Sequence, residues 1–165
     1  MGIFGGLFGK KEEKKVITAA SPVKGKCISI TKVNDPTFSA EVLGKGIAVI
    51  PSEGVFYAPA DGKVTMAFAA GHAVSMETLE GAELLLHVGI DTVELQGKYF
   101  HMEVSDGQNV KRGDVLLRAD LEGIRGEGYD TAAMLVVCNT GDFAEINCTL
   151  DKEVQPGDEV MRLYR

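Results

Sequence analysis

The stretch "ASPVKGK" (Ala20–Lys26) returns as "APADGK" (Ala58–Lys63), keeping the order small–Pro–x–x–Gly–Lys ahead of an apolar run. A second pair behaves alike: "DGQNVKRGDVL" (Asp106–Leu116) comes back shortened as "DKEVQPGDEV" (Asp151–Val160), with V-x-x-G-D ahead of a strand. Turn-plus-strand units that recur in this way indicate a fold made by duplicating a small β motif. In each copy the glycine is expected to supply a positive φ at a tight turn, which other residues adopt only at a cost.

Outward from these turns, the chain after Val16 is a series of short apolar runs cut by glycine, proline and aspartate. "KCISI", "FSAEVL", "GIAVI", "GVFYA", "KVTMAF", "AVSME", "ELLLHV", "YFHMEV", "DVLLRA", "AAMLVV" and "DEVMRLY" are each read as a strand. Turn signals about every ten residues give an all-β class, an antiparallel β-sandwich or barrel. Helical turns are expected only within "DLEGIRGEGYD" (Asp120–Asp130) and "TGDFAEI" (Thr140–Ile146), where glycines keep them short.

The 165 residues suffice for one domain with its own core, and 45% hydrophobic with 25% charged residues is an ordinary globular composition. A formal charge of -7 leaves no basic stripe to displace counterions, which excludes a nucleic-acid surface. Cys27, Cys138 and Cys148 are an odd set without CxxC spacing, as expected of reduced thiols in a cytoplasmic setting. No apolar run approaches the roughly 18 residues that cross a bilayer. Residues 1–15, "MGIFGGLFGKKEEKK", form a separate flexible or amphipathic segment ahead of a domain over 16–165. If helical, Ile3, Phe4, Leu7 and Phe8 share one face and the following lysines favour weak peripheral contact with the inner face of the membrane.

Three histidines carry the chemistry that remains: His72, His87 and His101. His101, in "YFHME", reads as a hydrogen-bonded core residue. In "LLLHVGID" strict alternation places Leu85, His87 and Gly89 on one strand face, and the glycine is expected to leave open space over the ring. His72 begins the preceding strand, one turn away, so two imidazoles can face one another. Such a pair could hold a metal with a carboxylate as third ligand. It could also pass a phosphoryl group, one ring nitrogen acting as nucleophile and the other ring as hydrogen-bond donor. There is no P-loop and no kinase-type glycine loop, so a phosphoryl group would arrive on another protein.

"GAELLLHVGIDTV" (Gly81–Val93) resembles closely the phosphohistidine pattern of the glucose-type enzyme IIA family (EIIA type-1 domain) of the bacterial phosphoenolpyruvate-dependent sugar phosphotransferase system. The resemblance continues through "FSAEVLGKGIAVIP", "APADGKV", "GHAVSME", "VELQGKYF" and "GQNVKRGDVL". It implies a duplicated β-sandwich and a phosphoryl carrier. The histidine matching His87 would take the group on Nε2 from phosphorylated HPr and pass it to a cysteine of a sugar-specific IIB domain. The histidine matching His72 would steady the phosphate and serve the onward step. Positions matching Asp35 and Asp91 would face basic partner residues, and Phe38, Val42, Leu43, Phe68, Leu85 and Val93 would form an apolar partner-binding ring. No cofactor is implied.

One departure stands out. The family usually carries T-x-H at the second histidine, its hydroxyl orienting the imidazole, and here the position is Ala70. Thr92 and Ser75 are the nearby hydroxyls that could replace it. Two other readings accompany the carrier. A zinc hydrolase of the paired-histidine kind would need an H-x-H element, where this chain has Gly89 two beyond His87. A regulatory role, docking the unphosphorylated face on transporters or metabolic enzymes, coexists with the carrier in the family. There zinc could bind His72 and His87 with a carboxylate lent by the partner.

Overall fold

A computed structural model describes residues 16–165. The expected segment 1–15 lies outside the described residues. In chain order the first seven strands are β1 (Val16–Ala20), β2 (Gly25–Ser29), β3 (Lys45–Pro51), β4 (Val55–Tyr57), β5 (Gly62–Ala67), β6 (Ala73–Thr78) and β7 (Glu83–Val88). The next seven are β8 (Phe100–Met102), β9 (Asn109–Val110), β10 (Val115–Ala119), β11 (Ala133–Val137), β12 (Glu145–Cys148), β13 (Lys152–Val154) and β14 (Glu159–Tyr164). They form one eight-stranded sheet, β13-β2-β3-β11-β7-β6-β5-β9, and two three-stranded sheets, β1-β14-β12 and β4-β10-β8. The strand pairs are antiparallel. The sheets stay open, which decides for a sandwich over a closed barrel.

The duplication runs strand for strand. The half-sheet β13-β2-β3-β11 matches β9-β5-β6-β7, and β1-β14-β12 matches β4-β10-β8. The two proline echoes meet and bond reciprocally: Ala20 N–H donates to the Pro59 carbonyl at 2.8 Å and Tyr57 N–H to the Pro22 carbonyl at 2.7 Å. Each echo also grips its own V-x-x-G-D turn. Ser21 N–H donates to Asp158 O (2.7 Å) and Gly157 N–H to Ser21 O (3.1 Å); Ala58 N–H donates to Asp114 O (2.8 Å) and Gly113 N–H to Ala58 O (3.0 Å). The turns themselves agree, since Asp114 accepts from Lys111 N–H and Asp158 from Gln155 N–H, both at 2.8 Å.

Gly113 and Gly157 both sit at φ +94, as the turn reading requires. The glycines of the first echo need a different explanation. Gly62 has no positive φ, and a Cβ there would overlap the Glu77 carbonyl oxygen; Gly25 has a positive φ of +158, near the extended limit, and a Cβ there would overlap the Ile50 carbonyl oxygen. Both are glycine because a neighbouring strand passes against them.

Alternation along β7 sorts its residues between two cores. Leu84, Leu86 and Val88 enter the larger one with Phe56, Leu117 and Leu135. The opposite face carries a smaller cluster of Ile30, Phe38, Ala48, Met134 and Val136, with Leu85 packed against it. Part of that second cluster comes from a segment misread as a strand. "FSAEVL" is the end of a short helix α1 (Pro36–Ser39) and the turn after it. Asp35 caps α1 by accepting from Thr37 N–H at 2.9 Å, and Pro36 occupies its first turn, so the Asp-Pro pair outweighs the apolar spacing. Helix α2 (Leu121–Gly126) and a 3-10 turn at Thr140–Asp142 fall in the two stretches expected to be helical. Further 3-10 turns at Ile30–Lys32 and Thr92–Leu95 were not legible.

Replacing Gly62 by Ala should cost about 3 kcal/mol, because two paired strands must separate, whereas Gly157→Ala should cost about 1 kcal/mol for its left-handed φ alone. Urea denaturation of the two variants checks the order; an equal or reversed cost contradicts the close-approach explanation of Gly62.

Candidate functional site

His87 lies near the end of β7, on the face of the smaller cluster, opposite Met134 of β11 and Ala73 of β6. His72 immediately precedes β6, and its carbonyl accepts from Val88 N–H at 2.8 Å, which draws the two histidines together across the strands. Their ring centroids are 4.9 Å apart and nearly perpendicular, at 83°. Phe38 packs on His87 (5.0 Å), and Phe68 and Phe100 flank His72 (5.8 and 6.4 Å). His87 is half-buried and His72 is buried.

Gly89 does not leave open space over the ring. It turns the chain at φ +85, and a Cβ there would overlap the Thr92 methyl. What it contributes is its carbonyl, 2.9 Å from His87 Nδ1. A carbonyl only accepts, so Nδ1 carries the proton and Nε2 keeps its lone pair. Burial lowers the affinity of His87 for a second proton, opposed by the Gly89 carbonyl and by Asp35. Burial, with His87 alongside, pushes His72 down to about 4. Both rings are therefore neutral at pH 7.

Among the described residues, Nδ1 of His72 is the one buried side-chain polar atom without a hydrogen-bond partner. Neither Thr92 nor Ser75 supplies the hydroxyl missing at Ala70. Thr92 Oγ1 donates to the Val88 carbonyl instead.

Of the expected partner-binding residues, Val42, Leu43 and Val93 are exposed, and Phe68 and Leu85 are half-buried. Phe38 is buried, with its ring against that of His87. Asp35 spends one carboxylate oxygen on its helix cap, while Asp91 is exposed at φ +59. Sequence reasoning missed Met66, which is exposed and pairs with Ser75, itself opposite Leu85, on the histidine face. Regular alternation would send Met66 into the larger core with Val64, and the register shift between Val64 and Met66 turns it out to the histidine face instead. His101 is no core residue: its side chain is 75% exposed, with Nε2 3.8 Å from Glu103. The described residues contain no grouping of three or more metal-ligating side chains, so the histidines stand as a pair. Cys27, Cys138 and Cys148 are free thiols. No described helix is long and apolar enough to cross a membrane.

Residues 17–143 match the family model described as phosphoenolpyruvate-dependent sugar phosphotransferase system, EIIA 1. The chain belongs to this EIIA family. The EIIA domain is 36% identical over 162 residues to a glucose-specific EIIA component of Bacillus cereus, covering 98% of both chains. It is 39% identical to that of Haemophilus influenzae, covering 98% of this chain and 97% of the other. It also matches a beta-glucoside-specific EIIBCA component of Halalkalibacterium halodurans at 37% identity, spanning 24% of that longer protein. Glucose permease IIA from Mycoplasma capricolum has the same fold, with a TM-score of 0.82 at 33% identity over 90% of this chain and 96% of its own.

A ring held at about 4 when folded, against 6.5 when free, binds fewer protons in the folded state. Its contribution to stability is whole above about pH 6.5 and is lost as the pH falls toward 4, on the order of 3 kcal/mol in total. His72→Gln should therefore flatten the wild-type stability profile between those values, and NMR should place the His72 midpoint well below that of a free imidazole. A midpoint at or above 6.5 contradicts the burial described.

Proposed function

We propose that His87 is the phosphoryl-accepting residue of this domain, taking the group from phosphorylated HPr and handing it to a cysteine of a sugar-specific IIB domain. The observation that carries this is the hydrogen bond from His87 Nδ1–H to Gly89, which leaves Nε2 neutral and nucleophilic beside a second neutral imidazole. The Nε2 lone pair forms the new N–P bond while the bond from phosphorus to the donor nitrogen breaks, and the electron pair stays on the donor. No proton has to move. The loaded ring, substituted at Nε2 and protonated at Nδ1, carries positive charge that the Gly89 carbonyl stabilises.

The His72 ring stands beside that of His87, with 4.9 Å between the ring centroids. Its Nδ1 is buried without an acceptor, so the satisfiable tautomer has the proton on Nε2, available to a phosphoryl oxygen. The transition state for phosphoryl transfer is loose and charge-spread, and alignment with such donors supplies most of the rate. The rim of Val42, Leu43, Phe68, Leu85 and Val93 would exclude water once a partner docks, protecting the phosphohistidine. Asp35 and Asp91 would draw basic partner residues to that rim. The transfer written here uses no metal or cofactor. The setting that fits it is the cytoplasm, where the carrier proteins and the inner domains of a permease meet. The EIIBCA relatives, in which EIIA shares a chain with EIIB and EIIC, support a IIB partner. Loading His87 adds about -2 charge, which would switch off docking to partners that prefer the neutral apolar face.

Incubated with phosphoenolpyruvate, enzyme I and HPr, the protein should gain one acid-labile phosphate on an imidazole Nε2, visible by 31P NMR. His87→Gln should gain none. His72→Ala should still load but deliver to IIB roughly 100-fold more slowly, as expected for loss of one donor at the transition state. Phosphate appearing on the His87→Gln protein would refute the assignment.

A further inference from the structure

Two consecutive peptide groups follow His87, and each is held at both ends. In the peptide joining Val88 to Gly89, the N–H donates to Ala132 O at 2.8 Å and the carbonyl accepts from Thr92 Oγ1. In the peptide joining Gly89 to Ile90, the N–H donates to Asp130 O at 3.0 Å and the carbonyl accepts from His87 Nδ1. The Asp130 end is braced in turn, its carboxylate accepting from Ala132 N–H at 2.8 Å. Among the described residues, Thr92 is the one side chain apart from His87 itself that bonds directly to either peptide. It is fully buried. Its methyl also fills the space a Gly89 Cβ would need, so a side chain at 89 and the methyl of Thr92 exclude one another.

We infer that Thr92 is a positioning residue for phosphoryl transfer: by anchoring the Val88 carbonyl it fixes the tilt of the next peptide, whose carbonyl selects the tautomer of His87. Rotation of the Gly89 carbonyl away from the ring would release the proton from Nδ1. A neutral imidazole that moves its proton to Nε2 has no lone pair where the phosphoryl group arrives. The two amides share the Gly89 Cα, so the link from Thr92 to the reacting ring is geometric: fixing the first peptide plane limits the tilt of the second. The inference rests on the proposed role of His87, and only its kinetic half does so.

The test compares Thr92→Val, which keeps the shape and removes the donor, with Thr92→Ser, which keeps the donor and removes the methyl. Long-range 1H–15N spectra read the His87 tautomer, and phosphoryl uptake from phosphorylated HPr reads the rate. In Thr92→Val the Nε2–H tautomer should become populated and uptake should fall roughly tenfold or more, as small misplacements of a reacting atom do. Thr92→Ser should retain the Nδ1–H tautomer and stay within about threefold of wild type. Unchanged backbone amides of β6 and β11 separate this effect from general loosening. Should Thr92→Val not fold, Thr92→Cys, of similar size and a weak donor, carries the same comparison. An unchanged tautomer in the valine variant, or a serine variant as slow as valine, overturns the inference. If wild type takes up no phosphate, the carrier reading fails, and the tautomer arm still decides the role of Thr92.

Discussion

The hydrogen bond from His87 Nδ1–H to the Gly89 carbonyl is the constraint on which the site depends. An imidazole in water divides its proton between two nitrogens and is partly charged near neutrality. Here an acceptor is built into the turn after the strand, and burial disfavours a second proton. The same ring is thereby left with one free lone pair in one direction. The turn that holds the acceptor is demanding, with Gly89 and Asp91 both at positive φ and Thr92 closing behind them.

A duplicated fold supplies the frame and then departs from symmetry at the site. The register pairs Ala73 with His87 in one half and Gly46 with Val136 in the other, so Val136 holds the place of His87 and Lys45 that of His72. The second copy has no imidazole at either place and contributes Val136 and Met134 to the small cluster beneath α1. One half of the duplicate thus provides the nucleophile and its neighbour, and the other provides packing. Phe38, delivered by the Asp-Pro-capped α1, covers the junction and rests on the His87 ring.

Much of this was legible in the sequence because it depends on local chemistry. The echoed proline and glycine turns, the short strands and the facing of His72 and His87 follow from turn residues and period-two alternation. Other features depend on contacts between distant segments. Gly25 and Gly62 are required by the passage of Ile50 and Glu77, and nothing in the local text distinguishes them from the turn glycines Gly113 and Gly157. Met66 reached the histidine face through a register shift. "FSAEVL" alternates like a strand, yet Asp35 and Pro36 just before it start a helix, and a six-residue apolar pattern could not outweigh that cap. The Thr92 hydroxyl is bonded through space to Val88, four residues back, a link visible only once the turn is built.

The unpartnered Nδ1 of His72 completes the electrostatic arrangement. A buried nitrogen with no acceptor resists protonation, keeping the second ring neutral and its other nitrogen the one able to donate. The most direct test of the site is neutron diffraction from deuterated crystals of the unphosphorylated protein at neutral pH. A deuteron on His87 Nδ1 aimed at the Gly89 oxygen, with Nε2 bare, is the expected result. A deuteron on Nε2, or on both nitrogens, would contradict it.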